Sequence, residues 1–334
     1  MSLKTRDTKI DLLRFIGVAL VILCHVAPPQ AIGAIRSFDV PLLVMISGIS
    51  FTMSYHELPY GKYVVKRFKR LVLPVWVFLA IYIPAEDLMR FVLNKELIPT
   101  GMVLSSFALI EGISYVWIFR VYFLMALISP LLLKLSEKLG AARLLALLAV
   151  IYPLYELMTG FVMRQSSLVF QAFELIVIYA IGYGFICAVG IVLRKLDRAQ
   201  YIILCVVCAA LTGLMLYIDG ASVHSIVKFP PRTLYIAGGL LVSLLLWRLF
   251  DLSIFDSVKN SRVIQWVSKN SMWLYLWHIA PVRIYCSGAL GFLESSWVLR
   301  YIFVVAVALC ITIAQNMLRS FVEKHTGKKL PGWL

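Results

Sequence analysis

The chain has 334 residues, 61% of them hydrophobic and only 15% charged, with a mean hydropathy of +0.89. Soluble globular chains are about half apolar and about a quarter charged, so this composition excludes an ordinary soluble domain. A net charge of +15 suggests a nucleic-acid binder, but the lysines and arginines fall in short loops between apolar runs, the positive-inside pattern of a membrane protein.

A membrane-crossing helix needs roughly 20 mostly apolar residues, and in lipid a helix satisfies its own backbone hydrogen bonds. The runs predict an all-α, multi-pass transmembrane helical bundle of about ten spans, read as one integral membrane domain over residues 1–334. In chain order the spans fall near 10–27, 36–54, 70–84, 114–133, 142–158, 170–190, 200–217, 232–250, 270–287 and 294–317. Lys4, Arg6 and Lys9 ahead of the first run resemble the start of a signal peptide. Asp11 and Arg14 interrupt that approach and many spans follow, so it reads as a retained first helix. The segment 97–112, with Gly101 and Gly112, reads as a re-entrant or interfacial piece.

An even number of spans puts both ends on one side. With the ends in the cytoplasm, 22 of the 32 lysines and arginines lie in cytoplasmic segments and five in the outer loops. This predicts a protein of the cytoplasmic membrane with both termini inside. The six cysteines all lie in apolar segments. Cys205 and Cys208 form a C-x-x-C inside a hydrophobic helix without a partnering pair of ligands, so neither a disulfide nor a metal is expected.

The chemistry-bearing residues start in the first span, "RFIGVALVILCH". Ionisable side chains within a span are functional candidates. Arg14 and His25 are separated so that, at about 100° per residue, they return to within roughly 20° of one face, about 16 Å apart along the axis. Asp11 shares the stripe. Across a short loop, "RSFDVPLLVMISG" places Asp39 at the start of the second span, as a helix-start residue beside Pro41 and as a candidate carboxylate to hold the His25 ring in a base-competent tautomer. In "VKRFKRLVLP", Arg67 and Arg70 are helix neighbours that read either as positive-inside anchors or as a phosphate clamp. His278 lies mid-span among Trp273, Tyr275 and Trp277. Arg36, Arg120, Arg164, Arg232, Arg283 and Arg300 gather at outer span ends with Lys228 nearby. They read as a basic pocket for an anionic or polyprenyl-diphosphate-linked glycan, or as individually paired surface arginines.

The element Asp11-x-x-Arg14 followed by ten residues and His25, then "FDVPLLVMISG", then Arg67-x-x-Arg70-x-x-x-Pro74, resembles the acyltransferase-3 family of integral membrane acyltransferases. "VWIFRVYFLMALISPLL" and "SKNSMWLYLWHIAPV" resemble later stretches of the same family, so the likeness covers most of the chain. Many members O-acetylate surface polysaccharides. The resemblance implies acyl-CoA, here acetyl-CoA, as a donor substrate with no permanently bound cofactor. It also implies dependence on Arg14 and His25, with Arg67 and Arg70 matching the donor-side pair. One departure is Leu42, Leu43, Val44 and Met45, where many members carry an aromatic-rich run.

The combined expectation is an O-acetyltransferase with His25, Arg14 and Asp39 as catalytic residues. Arg67 and Arg70 are assigned to the donor, and Arg120, Arg232 and His278 to the acceptor. Expected partners are acyl-CoA, a glycan acceptor and membrane lipid, with no nucleic acid and with homo-oligomerisation left open. The alternative is a transporter or flippase of a lipid-linked sugar, against which stands the lack of paired, glycine-broken repeats.

Overall fold

The computed structural model describes residues 6–110, 112–113, 115–219, 227–288 and 290–332. Its helices are α1 (Thr8–Cys24), α2 (Gln30–Ile35), α3 (Asp39–Ser54), α4 (Tyr60–Leu71), α5 (Leu73–Val92), α6 (Thr100–Phe107), α7 (Trp117–Leu139), α8 (Ala141–Val162), α9 (Leu168–Phe173), α10 (Tyr179–Val192), α11 (Arg198–Asp219), α12 (Thr233–Leu249), α13 (Asp256–Lys259), α14 (Arg262–Lys269), α15 (Ser271–Trp277), α16 (Ile279–Cys286) and α17 (Trp297–Thr326). No strand occurs among the described residues.

Among those residues, seven helices are long and apolar enough to cross a membrane. An eighth is counted if α12 and the segment Ser253–Lys259, bent 88° at their break, form one span. The two other expected spans have physical reasons for falling outside this count. Residues 10–27 form a helix of only 17 residues, because Pro28 and Pro29 follow the turn at its end. Residues 270–287 form helices of seven and eight residues that meet at His278. Pro281 has no N–H to give to the carbonyl of Trp277, and the ladder breaks there. The interfacial piece expected over 97–112 is the eight-residue α6, too short to span.

The chain divides into two compact units. The first comprises Met1–Cys24, Pro28–His56 and Leu124–Lys269. At its heart is α3, with α1, α10 and α12 packed around it. The crossing with α10 is close because Gly48 faces Cys187 and Gly190, and Gly190 faces the Met45 backbone. A Cβ at Gly190 would meet the Met45 carbonyl carbon at 2.9 Å. Small residues let helix backbones approach in this way where water supplies no driving force. Leu42, Val44 and Met45 are completely buried in this packing, and Leu43 fills the space beside Gly17. The non-aromatic run of α3 therefore serves as the core of this unit.

The second unit comprises His25–Ala27, Glu57–Phe123 and Asn270–Leu334. Here α15 and α16 pack on α17. The indole N–H of Trp277 donates to Gln315 at 2.6 Å and Asn316 donates to Asn270 at 2.9 Å, so the polar residues in the middle of α17 are satisfied. Buried Glu86 of α5 receives Arg283 of α16 at 2.8 Å and Arg90 at 3.0 Å.

Candidate active site

In the first unit, Arg14 occupies a polar nest on an otherwise apolar helix. Its guanidinium donates to the Ser268 and Ser50 hydroxyls at 3.1 Å each. Buried Asp11 lies one turn earlier and accepts from Ser268 at 2.7 Å and from Arg6. The carboxylate balances two arginines, and the hydroxyls of α3 and α14 fix the plane of the Arg14 fork, an arrangement suited to holding this cation at a set angle.

Asp39 opens α3 as expected, with Pro41 in the first turn. Its carboxylate takes the Arg36 guanidinium and the Val40 N–H, the latter at 2.8 Å. Both residues of the ion pair are buried. A second outer arginine of this unit, Arg232, is also paired with a carboxylate. Arg232 binds Glu156 at 2.5 Å, and Glu156 also receives Thr233 and Tyr152.

In the second unit, His25 sits just past the end of α1. Ala27 is in the left-handed region (φ 49°) ahead of the two prolines, which turns the chain. The Tyr285 hydroxyl donates to the His25 carbonyl at 3.0 Å. The His25 ring lies 3.5 Å from the Tyr115 ring, centroid to centroid. Tyr115 has φ 81°, a conformation that bulky residues adopt only when their surroundings impose it and that clusters at functional sites. Its carbonyl accepts the Tyr275 hydroxyl at 2.6 Å.

His278 completes the group. It stands at the α15–α16 break, wholly buried, with Nδ1 against the Tyr275 carbonyl and Nε2 3.0 Å from His25 Nδ1. The two imidazoles stack at 5.0 Å. Two histidines expected from sequence are thus brought together, while Tyr115 and Tyr285 were not singled out. Tyrosines at span ends are common as interfacial anchors, and nothing in their local sequence separates these two from that background.

The remaining residues of this unit are less enclosed. Arg67 lies over the Tyr63 ring at 5.0 Å. Arg70 is exposed on the same helix, α4, beside Lys66 and Lys69. Arg120 donates to the carbonyls of Leu109 and Ile110 at 3.0 Å each.

An acyltransferase-domain family model, acyltransferase-3, matches residues 7–315. The chain belongs to the acyltransferase-3 family. It is therefore a membrane acyltransferase, and the match takes in the Arg14 nest, the α4 arginines and the histidine pair alike. Neither a curated protein nor a solved structure matches it.

Proposed function

We propose that this acyltransferase moves an acetyl group from acetyl-CoA to a hydroxyl of a cell-surface or lipid-linked glycan, with His25 as general base. The observation that carries the reading is the enclosure of His25 by Tyr115, Tyr285 and His278. A near-neutral imidazole held in one orientation is the group that hydroxyl activation requires.

His25 Nε2 takes the acceptor's hydroxyl proton as the oxygen bonds to the thioester carbonyl carbon. The tetrahedral intermediate then collapses, the carbon–sulfur bond breaks, and the departing thiolate receives the proton held on His25. The products are the O-acetyl glycan and CoA. Arg67 and Arg70 supply donors to the CoA phosphates. Arg120 is assigned to the acceptor side of the same unit. Arg14, Asp39 and Arg232 enter through their own partners: Arg14 orders α1 against α3 and α14, while Asp39 and Arg232 anchor the outer ends of α3 and α12. The charge distribution supports a cytoplasmic-membrane location with both termini inside.

The test is CoA release from acetyl-CoA by purified protein, with an envelope glycan extract as acceptor, for the wild type and His25→Ala. Acceptor-dependent release that disappears in a normally folded variant supports the reading. Release that survives His25→Ala, or no release with any extract, overturns it.

A further inference from the structure

We propose that His278 is a positioning residue that fixes the tautomer of His25, and that the carbonyl of Tyr275 fixes His278 in turn. The directions of these bonds follow from what each atom is able to do. A carbonyl oxygen only accepts, so His278 Nδ1, which lies against the Tyr275 oxygen, carries the hydrogen. A neutral imidazole has one N–H, so His278 Nε2 has the lone pair. Its neighbour at 3.0 Å, His25 Nδ1, is then the donor. The lone pair of His25 is left on Nε2, the atom that receives a proton in the reaction proposed above.

The opposite polarity requires a doubly protonated His278. That ring is sealed from solvent, and among the described residues its polar partners are the Tyr275 carbonyl and His25. No carboxylate among the described residues pairs with it, and an imidazolium buried without a counter-charge is costly. Carboxylates usually hold a catalytic imidazole. An imidazole acceptor fixes the tautomer without bringing a negative charge to the site. His278 stands where it does because the helix breaks there. Tyr115 and Tyr285 hold the His25 ring and backbone from other sides.

The role of Nε2 rests on the acetyl-transfer reading, whereas the tautomer is a property of the resting protein and is measured without substrate. Protein labelled with 15N-histidine, carrying His56→Gln, His224→Gln and His325→Gln, leaves only His25 and His278 to observe. Two-bond nitrogen–proton correlations should show both rings as neutral Nδ1–H tautomers. In His278→Ala, His25 should populate both tautomers. kcat should fall by roughly 10²-fold while KM for acetyl-CoA stays within about twofold, and His278→Gln, whose side-chain oxygen accepts a hydrogen bond, should restore part of the loss. A His25 protonated on Nε2 in the labelled protein with His278 intact overturns the proposal. So does a folded His278→Ala protein whose His25 keeps the single Nδ1–H tautomer. If the tautomers behave as stated but no acetyl is transferred, the acetyl-transfer reading fails and the positioning role stands.

Discussion

The Tyr285 hydroxyl donates to the carbonyl oxygen of His25 across 3.0 Å, so the backbone bearing the His25 imidazole is tied to α16. Tyr285→Phe removes that bond, together with the hydroxyl's contact to Cys286, and keeps the ring. A neutral hydrogen bond contributes about 1 kcal/mol, so the melting temperature should fall only slightly. kcat for CoA release should drop by roughly tenfold, because a small displacement of a catalytic group is expensive. Unchanged turnover would mean that this bond does not set the position of His25.

Gly190 and Gly184 lie six residues apart on α10 and should respond differently to alanine. At Gly190 the new Cβ meets the Met45 backbone, which moves only if α3 and α10 separate. At Gly184 it meets the end of the Ile128 side chain at 3.1 Å, which is free to rotate away. Gly190→Ala should cost about 3 kcal/mol and reduce folded yield in a detergent melting assay. Gly184→Ala should melt within a degree or two of the wild type. Equal effects would refute the close α3–α10 crossing.

Glu86 is the shared counter-charge of Arg90 and Arg283. Both arginines are partly exposed, so removing the charge costs less than the ~3–5 kcal/mol of a fully buried pair. We expect Glu86→Gln to lower stability by about 2 kcal/mol, and Glu86→Gln with Arg283→Met to recover part of it. Thermal melts of the single and double variants measure this, and strict additivity would show that the pair does not couple.

Asp11 and Ser268 both support Arg14, one through charge and one through a hydroxyl. Ser268→Ala should destabilise by about 1 kcal/mol. Asp11→Ala leaves Arg6 and Arg14 facing each other without a carboxylate and should destabilise by more than twice that. A ranking of melting temperatures decides it, and a more damaging Ser268→Ala would show that the hydroxyl bridge, rather than the charge, organises the nest.

The apolar runs were legible because membrane helices announce themselves by length and hydropathy. The break at His278 was not, since a broken span has the same apolar content as a continuous one, although Pro281 was in plain view. His25 and Arg14 were identifiable as ionisable residues in an apolar helix. Asp39 reads as a candidate partner of His25 because it is near in sequence, and the structure shows its carboxylate paired with Arg36, three residues before it. The residue that meets His25 Nδ1 is 253 positions away, a pairing that helix periodicity does not encode. Two of the outer arginines also have ion-pair partners that helix periodicity does not encode. Their partners, Glu156 for Arg232 and Glu86 for Arg283, come from distant segments.

Pro281 carries neither charge nor hydroxyl and touches none of the chemistry, yet its missing N–H ends one short helix and starts another at His278. Replacing it with alanine would allow the two helices to fuse, carrying the imidazole around the axis with them. The address of the His278 ring is thus written partly in an inert one, and a survey of this enzyme confined to ionisable side chains would pass over a residue that governs its geometry.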